Sequence, residues 1–359
     1  MKPVTYVNSL FEDFPEGAQN PVTQKSQLPK KRSNLRDVAK AAGVSVATVS
    51  RVLNEPGVVK PDTREKVQAA IADLKFVPSA AARAINSGRT RFVGALIPTL
   101  DNAIFARFLA ALERELSAHQ LSLVVATTDS DPDIETQKAK ELVDIGAEGL
   151  IVTGAAHNTG LKDLIEQTML PTIITSYFDR ANPLPTIGYD NAAAAQIALE
   201  HLADLGHSEI AVVHGPVHNN DRTRARLAGL NASDCSVELA THETDISLEG
   251  GSVVGKQIAA LPHKPDAILC LSDVVALGVL FGLQASGVKV PEDVSLVGID
   301  DLPSSAVSVP PLTTVHLPVS TMGERAAAAL ARWISDQEIP RAEMLEATLV
   351  QRQSARRKT

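Results

Sequence analysis

The chain has 359 residues, of which 44% are hydrophobic and 21% charged; it is long enough for two or three domains and apolar enough to bury a core in each. The formal charge is −8, and the two cysteines, Cys235 and Cys270, give no basis for a disulfide framework. No apolar run reaches membrane-span length, and the start carries Glu12, Asp13 and Glu16 where a signal peptide needs an apolar stretch; the expected setting is the reducing cytoplasm, with no membrane partner.

Residues 1–34 contain Pro3, Pro15, Pro21 and Pro29, little apolar periodicity and a Lys30-Lys31-Arg32 cluster, the composition of a disordered N-terminal extension. Three short helices follow over 35–76. Leu35, Val38, Ala39 and Ala42 share one face of the first, and Gly43 supplies a turn where positive φ costs little. Ser45 is the expected N-cap of a second helix from Val46 to about Asn54, with Val49, Val52 and Leu53 inward. Pro61 opens the third, where Val67, Ala70, Ile71 and Leu74 recur at helical spacing. Between residues 30 and 91, thirteen Lys and Arg against five acids give net +8, which leaves −16 on the rest of the chain. A basic module on an acidic body is the electrostatic footprint of a nucleic-acid contact confined to one end.

From Arg91 onward, short apolar runs alternate with amphipathic stretches. The strand candidates are 92–98, 121–127, 149–153, 172–176, 186–189, 209–213, 267–270 and 295–299; helices are expected over 105–119, 134–145, 192–206 and 274–287. Such alternation implies parallel βαβ units covered by helices on both faces. So many strands favour two doubly wound lobes over one sheet, with the break near Asp190 and ligands beyond the carboxyl ends of the strands.

The twenty residues Leu35 to Asn54 resemble the helix-turn-helix headpiece of the lactose/galactose repressor (LacI/GalR) family, and the match continues through Thr63–Val67 and Phe76–Pro78. The segments 265–278, 290–301 and 310–315 resemble the family core and its periplasmic sugar-binding relatives. The resemblance implies an α/β protein: a small all-α headpiece (35–78), a hinge helix (79–90) and a periplasmic-binding-protein-like core of two doubly wound parallel-sheet lobes (91–359), the chain crossing back between lobes near 316–346. It implies a DNA-binding transcriptional repressor, a homodimer on a near-palindromic operator, whose affinity is set by a small-molecule, sugar-like effector.

Residue chemistry assigns the parts. The second helix presents its N-terminal residues to base edges; Val46 and Ala47 discriminate only through thymine methyls or excluded bulk, while Arg51 can donate two hydrogen bonds to guanine. Thr48, Ser50, Asn54 and Thr63 suit phosphates, as do Lys60 and Arg64. Core packing is the competing reading for Val46, a surface ion pair for Arg51. The family keeps a leucine wedge in the hinge where this chain has Ile85, which is stiffer. Ser79 stands where asparagine is common, and Lys60 where a capping serine is usual. In the core, Asp300 and Arg226 resemble the family's ligand-holding pair, Ser272, Asp273 and Ser176 sit at ligand-side strand ends, and Phe105 is placed to stack on a sugar face. Helix or turn capping competes for Asp273 and Asp301. Ser176, Ser272 and Leu317 replace more polar residues of the lactose-type pattern, so a different ligand is expected.

Other functions find less support. No G-x-G-x-x-G follows a strand, and neither a Walker loop, a G-x-S-x-G elbow nor an H-E-x-x-H is present, so no enzyme and no cofactor is expected. His214 and His218 are separated by Gly215 and Pro216, which keep them off one helix face. An exported-type sugar-binding protein and a corepressor-dependent, nucleobase-responsive regulator are the alternatives.

Overall fold

The computed structural model describes residues 33–77 and 89–358, which form two separate units, one all-helical and one α/β. The expected hinge helix with Ser79 and Ile85, and residues 1–32 of the expected extension, lie outside the described residues.

The helical unit comprises α1 (Leu35–Ala42), α2 (Val46–Asn54) and α3 (Pro61–Asp73). Its first cap corrects the expected boundary at 34. The Asn34 side chain accepts from the Arg36 and Asp37 N–H groups while Asp37 accepts from the Asn34 N–H, a reciprocal capping box, and Ser33 donates to the Leu74 carbonyl at 3.2 Å. Gly43 ends α1 at φ 66°, and Ser45 caps α2 by accepting from the Thr48 N–H at 3.1 Å. Lys60, before Pro61, supplies no side-chain cap to α3. Val38, Val49 and Val67 are fully buried at the centre, joined by Val52, Ala70 and Phe76, with Leu35, Ala42, Leu53, Ile71 and Leu74 around them.

The second unit holds two six-stranded sheets. Lobe 1 contains β1 (Phe92–Ile97), α4 (Ala103–Ala118), β2 (Ser122–Thr127), α5 (Pro132–Asp144), β3 (Ala147–Thr153), α6 (Thr159–Thr168), β4 (Thr172–Thr175) and β5 (Thr186–Gly188). Lobe 2 contains α7 (Asn191–Asp204), β6 (Glu209–His214), α8 (Asp221–Asn231), β7 (Glu238–Glu243), α9 (Leu248–Ala259), β8 (Ala267–Cys270), α10 (Asp273–Ala285), β9 (Ser295–Asp300), α11 (Pro303–Val307) and β10 (Thr313–His316). Helix α12 (Val319–Asp336) and β11 (Glu343–Met344) then return to lobe 1, and β12 (Thr348–Val350) closes lobe 2. The strand orders are β11-β5-β4-β3-β1-β2 and β12-β10-β9-β8-β6-β7, parallel throughout except for β12. This is the expected doubly wound pair, and all eight strand candidates are strands. Strand β7 was not among them: Glu-Leu-Ala-Thr-His-Glu is a half-exposed edge with no apolar run.

The chain enters lobe 1 at Arg89 rather than Arg91. Glu148 accepts from Arg89 Nη2 at 2.6 Å and from the Arg91 N–H at 2.7 Å, and the Thr90 hydroxyl donates to the Gly146 carbonyl. Strands whose cores read Ala-Ile-Leu-Cys or Thr-Ile-Ile-Thr are buried on both faces because helices cover both sides. Among the described residues no helix is long and apolar enough to cross a membrane.

In lobe 2, α9 and α10 pack through glycine: Gly251 and Gly255 face the α10 backbone, and Gly278 and Gly282 face that of α9. A Cβ at Gly278 would collide with the Leu248 carbonyl oxygen and come within 2.9 Å of the Gly251 Cα. Gly278→Ala is therefore expected to destabilise lobe 2 by about 1–3 kcal/mol, as overpacking does. Gly57→Ala, which meets nothing within 4 Å, is the control. Chemical denaturation of both variants checks this; equal midpoints would show that the helices can part freely.

Candidate functional site

On the helical unit, α2 turns its N-terminal residues to solvent. Val46 is 42% exposed and Ala47 is exposed beside it, which removes core packing as the explanation of Val46. Arg51, one turn on, is exposed, and its side chain has no ion pair or hydrogen bond among the described residues. Thr48 is half-buried and its hydroxyl lies 2.9 Å from that of Ser45, so it takes part in the cap. Ser50 and Thr63 are half-buried, Thr63 in the first turn of α3, while Lys60 is exposed and Arg64 half-buried nearby. The side chain of Asn54 and all of Ile85 lie outside the described residues.

In the second unit, the carboxyl ends of both sheets open into one interlobe cleft enclosing about 870 Å³, open solvent at its mouth included. That is the size range of a small-molecule site. Five expected residues line it: Phe105 from the start of α4, Ser176 just past β4, Arg226 on α8, Ser272 just past β8 and Asp300 at the end of β9. Their convergence follows from topology, since parallel strands all point their carboxyl ends the same way. Phe105, Ile104, Phe108, Val319 and Met322 make an apolar wall. Ser176 stands at φ 61° and donates its N–H to the Met322 sulfur at 3.1 Å.

The floor is a buried ion pair with its supports. Arg226 donates Nε to Asn191 Oδ1 at 3.1 Å and Nη1 to the Leu271 carbonyl, and Nη1 lies 4.0 Å from Asp300 Oδ1. Asn191 in turn donates to the Ser176 carbonyl at 3.0 Å, which ties the floor to lobe 1. Asp300 is 3% exposed at φ 136°, a backbone conformation that side-chain-bearing residues rarely adopt. Burial pushes its carboxyl up to about 7, opposed by the neighbouring Arg226 charge and reinforced by Asp273.

Asp273 is a correction. It is fully buried and does not line the cleft. Its carboxylate accepts from the Leu302 N–H at 2.9 Å, the Ser305 hydroxyl at 2.5 Å and the Thr314 hydroxyl at 2.6 Å, which pins the turn after β9. Asp301 is likewise structural, bound to Arg352 at 2.5 Å and His316 at 3.0 Å, and its carbonyl accepts from Arg107 of α4 at 2.8 Å. Leu317 is core, fully buried. His214 is buried with Nδ1 2.8 Å from the Gly215 carbonyl oxygen, and His218 lies in a turn.

Several lining residues had no counterpart in the sequence reading: Thr99 and Asn102 after β1, Ser130 after β2, Tyr189 after β5, and Asn220, Arg222 and Thr223 after β6. Each lies just past a strand's carboxyl end or in the following helix turn, which is the signal that could have found them. Among the described residues, no group of three His, Cys, Asp or Glu is placed to hold a metal ion.

The Asp300 environment has a measurable consequence. An unfolded carboxyl releases its proton near 3.8, whereas the folded one keeps it to about 7, so folding takes up a proton between those values. Stability carried by this group is therefore highest below about pH 4 and falls as pH rises toward 7. Asp300→Asn is expected to flatten the fall in denaturation midpoint over that window without abolishing it, because burial also raises Asp273. A slope identical to that of the parent would contradict the assignment.

Residues 34–79 match the family model for bacterial regulatory proteins, lacI family, and residues 199–355 match a periplasmic binding protein-like domain. The HTH-type transcriptional repressor PurR of Vibrio campbellii is 29% identical over 313 residues, spanning 85% of this chain and 93% of that protein. Among solved structures, the Lac repressor dimer bound to operator and the anti-inducer ONPF is similar at a TM-score of 0.81 and 28% identity, over 91% of this chain and 100% of that one. The transcriptional regulator CelR in its cellobiose complex is similar at a TM-score of 0.64 and 28% identity, over 90% of this chain and 100% of that one. With a matching headpiece, a matching core and relatives that span nearly its whole length, this chain belongs to the LacI/GalR family of DNA-binding transcriptional regulators.

Proposed function

We propose that this chain is a cytoplasmic, non-enzymatic repressor that binds a near-palindromic operator as a homodimer and is controlled by a small sugar-like effector in the interlobe cleft. The observation that carries the DNA half is the exposure of Val46: a valine left 42% in water at the start of α2, over a well-packed three-helix core, is an apolar reader in search of a surface. Val46 and Ala47 meet thymine methyls, Arg51 reads guanine through paired hydrogen bonds, and Thr48, Ser50, Asn54 and Thr63 contact phosphates with Lys60 and Arg64. Residues 79–88 couple the core to DNA, with Ile85 as the minor-groove wedge. The effector half rests on Arg226 and Asp300, a donor and an acceptor side by side at the bottom of a water-shielded cleft, which is what a hydroxyl-rich ligand requires. The operator of the Lac repressor and the cellobiose of CelR support the same two partner classes.

The test is a binding titration on an operator selected from random duplexes. Arg51→Ala is expected to lower affinity for the selected site by about ten- to hundredfold, the discrimination of one lost guanine contact, while leaving salt-dependent binding to unrelated DNA in place. Unchanged specific affinity in that variant would overturn the assignment of α2 as the reader.

A further inference from the structure

Asp221 and Arg222 open α8 in lobe 2 and reach across the seam to lobe 1. The Asp221 carboxylate accepts from the backbone N–H groups of Ala155 and Ala156, in the loop after β3, the latter at 3.2 Å. It also accepts from the Arg222 N–H at 2.9 Å and from Arg222 Nη1 at 3.0 Å. Four donors fill both oxygens. The guanidinium rests against Gly154, where an added Cβ would come within 2.7 Å of Asp221 Oδ1 and closer still to Arg222 Nη1. Arg222 thus occupies a built seat, its side chain 14% exposed, bordering both the cleft and a smaller adjoining cavity.

Only one edge of that guanidinium is in use. Among the described residues Nε and Nη2 donate to no protein acceptor. The nearby carboxylates are engaged elsewhere: Asp131 caps α5 through the Asp133 and Ile134 N–H groups, and Glu135 lies 2.7 Å from His157 Nδ1. On the floor, Arg226 is committed to Asn191 and the Leu271 carbonyl and lies 4.0 Å from Asp300. What remains in the cleft is a guanidinium paired with Asp221 through Nη1 alone, cationic at every working pH because arginine does not deprotonate in proteins, with its Nε and Nη2 edge open to a ligand. In the same cleft Asn102 Oδ1 is buried with no donor, an acceptor that a ligand hydroxyl would satisfy.

We infer that Arg222 is the specificity-determining residue of the cleft and selects an effector that carries an acidic oxygen group on a polyhydroxyl body. The acid pairs with the open edge of Arg222, and the hydroxyls face Asn102 and Asp300. This rests on the reading of the cleft as the effector site. Carboxylate and phosphate share the required chemistry, since both accept two parallel hydrogen bonds from a guanidinium. The acid is then held by the arginine whose partner Asp221 bridges the two lobes, and a neutral sugar of equal size leaves the open edge of Arg222 unpaired.

The experiment is a thermal-shift titration of the full chain with D-gluconate, D-glucuronate and D-glucose 6-phosphate, against D-glucose and inorganic phosphate alone. At least one acid is expected to raise Tm saturably while glucose does not; response to the carboxylates or to the phosphate ester tells the two sources apart. Arg222→Gln is expected to weaken that acid at least tenfold, and Arg222→Lys, which keeps the charge, to restore part of the loss and so separate recognition from folding. Silence from every acid overturns the inference, as does inorganic phosphate alone reproducing the shift. Glucose binding that ignores Arg222→Gln but is lost in Arg226→Ala overturns it while leaving the cleft reading intact. Acid binding that survives both Arg226→Ala and Asp300→Asn places the ligand elsewhere, and then both fail.

Discussion

The core depends on one buried guanidinium. Arg226 is 8% exposed, yet it carries a charge that water would otherwise solvate, so each of its partners is held in place by the cost of leaving that charge alone. Those partners come from separate elements: Asn191 opens α7, the Leu271 carbonyl follows β8, and Asp300 ends β9. Asn191 passes the connection to Ser176 of lobe 1. One residue on α8 therefore registers the ends of several strands against each other, and the cleft takes its shape from that registration. The rare backbone conformation of Asp300 is tolerable in this setting because the Asp273 clasp beneath it fixes the next turn.

Much of this architecture is legible from local pattern. The helical faces over 35–76 predict nearly every residue of the small core, because in a three-helix unit burial follows periodicity closely. Short apolar runs predict eight strands, and the rule that ligands sit at carboxyl ends finds Ser176 and Ser272, while Arg226 and Asp300 come from the family resemblance and Phe105 from its aromatic ring. The same rule fails on Asp273. It too follows a strand, but its donors, Ser305 and Thr314, lie 32 and 41 residues away, and only the fold reveals that they point at it. Arg222 escapes for a related reason: its seat is made by Gly154 from the other lobe, and no spacing in the sequence links the two. The capping box at Asn34 is local and readable, but the proline-rich residues before it obscure it.

The two proposed recognition surfaces use opposite chemistry, and the sequence carries both. α2 offers two apolar side chains and one cation to the outside, with nothing to satisfy until a partner arrives. The cleft keeps its polar groups inside and mostly paired, so a ligand must replace interactions rather than merely add them. The first arrangement favours discrimination by shape and a single base contact, whereas the second favours discrimination by which donors and acceptors a molecule can supply.

The chain passes between the lobes three times, after β5, before α12 and between β11 and β12. These passages are neighbours, since β11 lies beside β5 and β12 beside β10, and the Leu345 N–H donates to the Gly188 carbonyl at 2.7 Å. A single tether would let the lobes twist and slide; three adjacent ones act like the knuckles of a door hinge and leave one angle free. Whatever occupies the cleft is thereby reduced to a single mechanical variable. Because Arg89 is anchored to Glu148, the segment leading into β1 is fastened to lobe 1 alone, and whatever moves that lobe about the three passages carries Arg89 with it.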